Sequence, residues 1–333
     1  MESSGQAFGK LILAGEHAVV YGVPAIALGI DRGASARARP LASGPSKLRI
    51  APWDVQVSED DERDLGLALA SLLASVRARG ALPALEIEAE TDLPAGGGLG
   101  CSAALGVAIA RAAAALSAAV ATADDVRDHA MAWERLFHGN PSGIDAAVAT
   151  LGGAFQFARG NPDRGGGERS VVERIVPLAP LVLAVGHSGA SSRTRTMVES
   201  VARQRAERRA EVDATFERIR GIVTSARLAF EAGDRVALGA LLDANQAQLA
   251  GLSLSTQPID ELCASAREAG ALGAKLTGAG GGGCVIALAE GRAGAERILS
   301  EWKARSFAGF IAEVHAGAGV RPHDPAGTTL AAT

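Results

Sequence analysis

The residues best suited to chemistry in this chain cluster in two glycine loops, one turn and the first strand-like run. Residues 93–104 read "LPAGGGLGCSAA" and residues 275–286 read "KLTGAGGGGCVI". Phosphate groups bind where several backbone N–H groups converge, and a helix N-terminus adds a favourable dipole. Glycine lets backbone approach a ligand closely and adopt positive φ. The first loop has the order such a site needs: Pro94 as breaker, a glycine run, the hydroxyl of Ser102, then an alanine-rich run. Taken alone in a chain with 41 glycines, it reads equally well as low-complexity filler. Lys10 interrupts the apolar "FGKLIL", where it is either an edge position or a cation aimed at a phosphate. Asp145 follows the turn "NPSG", a suitable place for a rigidly held carboxylate. Glu134 lies in "AWERLFHG", with the pattern of a helix leading into that turn.

Two standard nucleotide patterns fail on context. "GQAFGKL" is one residue short of a Walker A loop and ends in leucine where Ser or Thr is required. "GAGGGG" at 278–283 satisfies G-x-G-x-x-G, but it precedes the strand-like "CVIALA", whereas the dinucleotide fingerprint opens a helix.

The elements that must position these residues follow from hydrophobic pattern and punctuation. Residues 8–31 read strand, loop, strand, with "GEH" and "YGVP" breaking the apolar runs; "ALEIEAE" alternates as a half-buried strand. Ser102 is placed as the cap of a helix running to about residue 119, and Thr122 as the cap of a second helix through "ADDVRDHAMAWERLF". "AAVATLGGAFQF" is expected to return toward strand, and 158–170 to form an exposed hairpin or loop. After "APLVLAVGH" comes a long arginine-rich helical stretch. Its interspersed glutamates mark a solvated face rather than a polyanion site. The change of character near residue 178 suggests two domains, 1–178 and 179–333, in an α+β chain.

Composition narrows the function classes. The chain has 333 residues, 48% apolar and 21% charged, with a net charge of −4 and no basic stripe for nucleic acid. Three scattered cysteines form neither a disulfide framework nor a zinc pattern, and the N-terminus does not read as a signal peptide. The most membrane-like segment is alanine-rich and carries Arg111 at its centre, so the expectation is a cytoplasmic protein without a membrane span.

Three quoted stretches together are far more specific than any one. "GKLILAGEHAVVYG", "LPAGGGLGCSAA" and "KLTGAGGGGCVI", in that order, resemble the GHMP kinase superfamily. The stretches "GEHAVVYG", "FHGNPSGID" and "NQAQLAGLSLST" most closely resemble its mevalonate kinase branch. The resemblance spans about residues 8–290. It implies a ribosomal-S5-like N-terminal domain and a ferredoxin-like C-terminal domain with ATP between them. It implies ATP and Mg²⁺ as cofactors, mevalonate as the small-molecule acceptor, and leaves a homodimer open.

Carried over by residue, the resemblance makes Asp145 and Lys10 the catalytic pair. Pro94, Gly96, Gly97, Gly98, Leu99, Gly100, Cys101 and Ser102 would line the ATP phosphates, with Gly278, Ala279, Gly280 and Gly281 closing from the other side. Ser102 and Glu134 would contact the metal. Glu16, His17, Ala18, Asp145 and Thr194 would face the acceptor; for His17 a buried structural role is the rival reading. Alternatives are a kinase for another small alcohol, such as phosphomevalonate, or a non-catalytic nucleotide-binding regulator of the same fold. Two departures stand out. Some mevalonate kinases carry arginine where this chain has Ser192, leaving Arg193 or Arg195 as substitutes, and some carry tyrosine at the position of Leu105. Cys101 replaces the first of two serines usual in the family. It is either a small packing residue or, at a helix N-terminus, an activated thiol that ATP would shield from alkylation.

Overall fold

The computed structural model describes residues 2–138, 141, 143–158, 171–191 and 194–314. Two sheets organise them. The first is built on β1 (Ser3–Ala14) and β2 (Ala25–Pro40), a long antiparallel pair in which Lys10 faces Gly29 and Leu11 faces Leu28. Strand β2 pairs with β5 (Leu85–Thr91) through residues 34–40 and with β6 (Ala154–Ala158) through residues 25–28. Strands β3 (Lys47–Ile50), β4 (Val55–Ser58) and β7 (Val171–Ile175) complete the order β4-β3-β5-β2-β6-β7, with β1 on β2. Only β3–β5 is parallel among these pairs.

Helices α1 (Asp64–Arg77), α2 (Cys101–Ala114), α3 (Ala123–His138) and α4 (Ile144–Leu151) belong to this half. Helix α2 is buried on nearly every face, which explains its alanines. Small side chains let the helix axis lie close to the sheet. A Cβ at Gly5 of β1 would come within 2.2 Å of the Ala108 carbonyl oxygen, so only glycine fits there. The alanine run is therefore a close-packing surface rather than filler.

The second sheet contains β8 (Leu181–His187), β9 (Gly273–Thr277), β10 (Cys284–Ala289) and β11 (Ala308–Val314), all antiparallel, in the order β11-β8-β10-β9. Helices α5 (Thr194–Glu207), α6 (Arg209–Ala232), α7 (Arg235–Gly251) and α8 (Gln257–Glu268) intervene between β8 and β9, and α9 (Arg292–Ala304) between β10 and β11. The strand sequence and order are those of a ferredoxin-like unit enlarged by extra helices, within the α+β class expected. The arginines of α5 and α6 pair locally, Arg205 with Asp213, Arg208 with Glu211 and Arg220 with Glu217, as a solvated face requires.

Several sequence expectations are corrected. Helix α2 begins at Cys101, ends at Ala114, and is preceded by Gly100 at φ +71; Ser102 lies inside the first turn and is not the cap. Residues 144–151 are helix, not strand, because Gly143 at φ +81 starts a turn whose apolar side chains are buried on several faces; strand resumes only at Ala154. Thr122 does cap α3: it exchanges bonds with Asp125, whose carboxylate accepts from the Thr122 N–H at 2.8 Å. Of the loop expected at 158–170, Ala158 instead ends β6 and 159–170 lie outside the described residues, as do Gly139, Asn140 and Ser142 of the turn before Asp145.

Trp302 anchors the second half. It is fully buried, its Nε1–H donates to the Leu262 carbonyl at 3.0 Å, and its ring leaves no room for a Cβ at Gly186. Trp302→Ala is expected to lower stability by about 3–5 kcal/mol, read as a drop in thermal midpoint; a shift of less than a degree would contradict this packing.

Candidate active site

The two glycine loops, some 180 residues apart in sequence, meet face to face. A Cβ at Gly98 would lie 3.1 Å from the Thr277 carbonyl oxygen, and one at Gly278 would lie 3.2 Å from the Gly98 Cα. Both residues have positive φ, so any side chain would be strained as well as crowded. The outcome is two backbone surfaces separated by little more than van der Waals contact, with the N-terminus of α2 behind one of them.

Strand β1 delivers the lysine to this place. The Lys10 N–H donates to the Leu99 carbonyl at 2.8 Å, tying the strand to the first glycine loop. Its ammonium lies 3.0 Å from Asp145 Oδ1, at the first turn of α4. Lys10 is buried, whereas the Asp145 side chain keeps 35% of its exposure. The carboxylate thus has one side held by a cation and one side open, which suits a group that must accept a proton from a bound hydroxyl.

Beside the pair, Ser102 donates to Glu134 Oε1 at 2.5 Å, and Trp133 Nε1–H donates to Ser102 Oγ at 3.3 Å. Glu134 is 3% exposed. Burial pushes its carboxyl up to about 7; the Asp145 charge pushes in the same direction, while the Ser102 bond and Lys10 oppose it. A hydroxyl beside a buried carboxylate is the donor chemistry of a hard divalent cation. No group of three or more His, Cys, Asp or Glu that could hold a metal occurs among the described residues. A cation held by Ser102 and Glu134 would need phosphate oxygens and water to complete its shell, as Mg²⁺ commonly does.

The loop after β1 faces the second glycine loop. His17 Nε2 bonds the Ala279 carbonyl at 2.8 Å, and Glu16 forms an ion pair with Lys275 of β9. Burial lowers the His17 pKa, against the opposing Ala279 bond, so its neutral ring donates from Nε2. Ala18 is fully buried, and its N–H is taken by the Glu16 carbonyl at 2.6 Å. Thr194 is exposed at the start of α5. Its neighbourhood nonetheless borders both loops: a Cβ at Gly96 would meet Ser191, and one at Gly281 would meet Met197. Arg195 is 90% exposed and pairs with Glu199, while Ser192 and Arg193 lie outside the described residues.

The activated-thiol reading of Cys101 is overturned. Its side chain is 8% exposed and turned toward Thr91 Oγ1 at 3.7 Å and the Leu93 carbonyl at 4.0 Å. Burial raises its pKa to about 11, outweighing the Thr91 bond. It is a packing residue. Sequence reasoning also missed Trp133 and Asn245. An indole one residue before Glu134 falls on the same helix and so signalled proximity; Asn245 lay in the quoted "NQAQ" without a role to give it.

Comparison with known proteins matches segments of both halves of the chain to one family. Residues 67–153 match the GHMP kinases N-terminal domain and residues 226–308 the GHMP kinases C-terminal model. The chain belongs to the GHMP kinase family. Within that family its relatives include the mevalonate kinase of Thermococcus sibiricus, 34% identical over 84% of this chain and 87% of the relative. The mevalonate kinase of Aeropyrum pernix is 35% identical over 92% of this chain and 94% of its own length. Among solved structures, L. major mevalonate kinase in complex with R-mevalonate superposes with a TM-score of 0.81 at 27% identity, covering 96% of this chain and 97% of that one.

Two predictions follow from burial. Cys263 and Cys284 are buried like Cys101, and burial pushes both thiols up to about 12. Iodoacetamide at pH 8 is therefore expected to label none of the three in the native protein, with or without nucleotide, and all three after denaturation. Rapid native labelling of Cys101 would refute its packing role. For Glu134, a folded pKa of about 7, above the ordinary carboxylate value of 4.5, means the folded state holds the proton more tightly. Stability is greatest below pH 4.5 as far as this group is concerned and falls as pH rises to 7, by about 3 kcal/mol in all. Glu134→Gln is expected to raise the thermal midpoint of the ligand-free protein at pH 8 and flatten its decline between pH 4.5 and 7. An unchanged profile would place the Glu134 carboxyl near its ordinary value.

Proposed function

We propose that this chain transfers the γ-phosphoryl group of ATP to the primary hydroxyl of mevalonate, giving 5-phosphomevalonate and ADP, with Mg²⁺ as the metal. The observation that carries this reading is the Lys10–Asp145 pair at the junction of the two glycine loops. It lies in a chain about one-third identical to mevalonate kinases over most of its length. The kinase family supplies the use of ATP; the acceptor comes from the mevalonate kinases about one-third identical to this chain.

Phosphoryl transfer asks a protein mainly for in-line positioning and charge stabilisation. The backbones of Pro94–Ser102 and Gly278–Gly281, which touch at Gly98 and Gly278, together offer N–H groups to phosphates lying alongside that contact. Asp145 takes the hydroxyl proton as the oxygen attacks phosphorus and the bond to the ADP oxygen breaks. Lys10, whose ammonium lies 3.0 Å from Asp145 Oδ1, orients that carboxylate and places positive charge beside the attacking oxygen. Ser102 and Glu134 would hold Mg²⁺, which when bound neutralises charge on the phosphate oxygens. The acceptor is assigned to the region bounded by the Glu16–Ala18 loop, Asp145 and the start of α5 with Thr194. We place the division between the phosphate-binding N-terminal half and the closing C-terminal half at residues 178/179. No described helix is long and apolar enough to cross a membrane.

The test offers purified protein ATP, Mg²⁺ and, separately, mevalonate, phosphomevalonate, homoserine and galactose while ADP release is followed. Turnover with mevalonate is expected; turnover only with another alcohol would replace the acceptor, and none with any would support the regulator. Asp145→Ala is expected to lower kcat by roughly 10²–10⁴-fold while nucleotide affinity stays within a few-fold. Retention of more than a few per cent of activity would remove Asp145 from the catalytic role.

A further inference from the structure

One connected path of polar groups runs from the loop after β1 to the glycine loop after β9. Lys275 and Glu16 are both sealed from solvent, and the ammonium spends its donors on Glu16, the Leu276 carbonyl at 2.6 Å and the Ile12 carbonyl at 3.4 Å. The second Glu16 oxygen faces Asn245 Nδ2 of α7 at 3.5 Å. Thr277, two residues beyond Lys275, accepts from the Ile12 N–H at 2.8 Å and donates to the Ile12 carbonyl at 3.1 Å. The other end of the loop is pinned as well: Tyr21 stacks on Phe216 of α6 at 4.8 Å and lies under the Arg205 guanidinium at 4.6 Å.

Between these anchors sits His17, at φ +59 and ψ −49, a conformation that L side chains rarely adopt. Such backbone persists only where its surroundings over-determine it. Here they direct Nε2 onto the carbonyl of Ala279, the second residue of the glycine loop. Its neighbour Gly278 is the residue in contact with Gly98 across the gap between the loops. Fixing Ala279 therefore fixes that gap.

We propose that His17, backed by the Glu16–Lys275 ion pair, is a positioning residue that couples the acceptor-side loop to the phosphate-side loop. The proposal rests on the reading that the glycine loops hold the nucleotide, and it separates His17 from a mere acceptor contact. A contact residue affects acceptor binding alone. A coupling residue alters nucleotide binding even when no acceptor is present, because the two loops share one arrangement and coupling between sites is reciprocal.

The experiment measures binding of a non-hydrolysable ATP analogue with Mg²⁺ by calorimetry, without acceptor, alongside kcat and KM for mevalonate. His17→Ala leaves the Ala279 carbonyl without its donor, and nucleotide affinity is expected to fall about tenfold. His17→Gln keeps a side-chain N–H and should recover most of that loss. Removing one partner of the ion pair would leave a buried charge and endanger folding, so the second variant removes both. Glu16→Gln with Lys275→Met should fold with a thermal midpoint near that of the wild type and show the same nucleotide defect. Wild-type nucleotide affinity in both folded variants, with the loss confined to KM for mevalonate, would overturn the coupling. A glutamine no better than alanine would also count against it. The measurement needs no acceptor, so it stands apart from the assignment of mevalonate: weakened nucleotide binding with no turnover of any alcohol would sink the activity and leave the coupling intact.

Discussion

The hydroxyl of Thr277 holds both the N–H and the carbonyl of Ile12, and on this attachment both halves of the site depend. Strand β1 belongs to the first sheet, but its register against β2 slips between Ile12 and Ala14, and β9 of the second sheet attaches at that place. Upstream of the attachment β1 carries Lys10, and downstream it leads to Glu16 and His17. One strand thus sets the position of the proposed catalytic cation and of the contacts that reach the opposite glycine loop. Moving either sheet relative to the other would disturb all of these groups together.

The buried charges are arranged by how much each must remain available. Glu16 and Lys275 are closed off completely, so their mutual attraction and the surrounding carbonyls must offset the loss of hydration; losing one partner alone costs about 3–5 kcal/mol in such settings. Lys10 and Asp145 are paired at 3.0 Å but open on the aspartate side. That opening fits the proposed role of Asp145 toward a substrate hydroxyl. Glu134 accepts from the Ser102 hydroxyl, and burial drives its carboxyl toward the protonated form. The three settings differ in solvent access, and that difference fits the roles proposed for them: a structural tie, a base and a cation ligand.

Glycine and alanine serve two distinct purposes. In α2 alanine permits close packing of a helix buried on nearly all sides, and Gly5 beneath it is demanded by the Ala108 carbonyl. In the facing loops glycine permits backbone to approach backbone, leaving N–H groups rather than side chains to address phosphate. Both purposes produce similar composition, which is why the stretch at 93–104 read equally as filler or as a phosphate loop until its partner motifs were considered.

Much of the site was legible in residue order. Lys10, Ser102, Glu134 and Asp145 sit in motifs whose local chemistry and family resemblance named them, and the structure brings those four together. The α+β class was legible because strand periodicity and glycine punctuation are local signals, whereas the ferredoxin-like arrangement came only with the family resemblance. Helix bounds were less so, because Gly100 and Gly143 start their helices through positive φ rather than through a side-chain cap. The inertness of Cys101 was not legible at all. Its place at a helix N-terminus favours a thiolate, and only the packing against Thr91 and Leu93 reverses that preference by desolvation. Nor does any spacing rule connect Glu16 to Lys275, or His17 to Ala279, across some 260 residues of chain. The sequence by itself determined which groups are present and which local shapes they favour. The tertiary structure decided which groups meet and which are cut off from water, because those depend on distances between elements that no local pattern encodes.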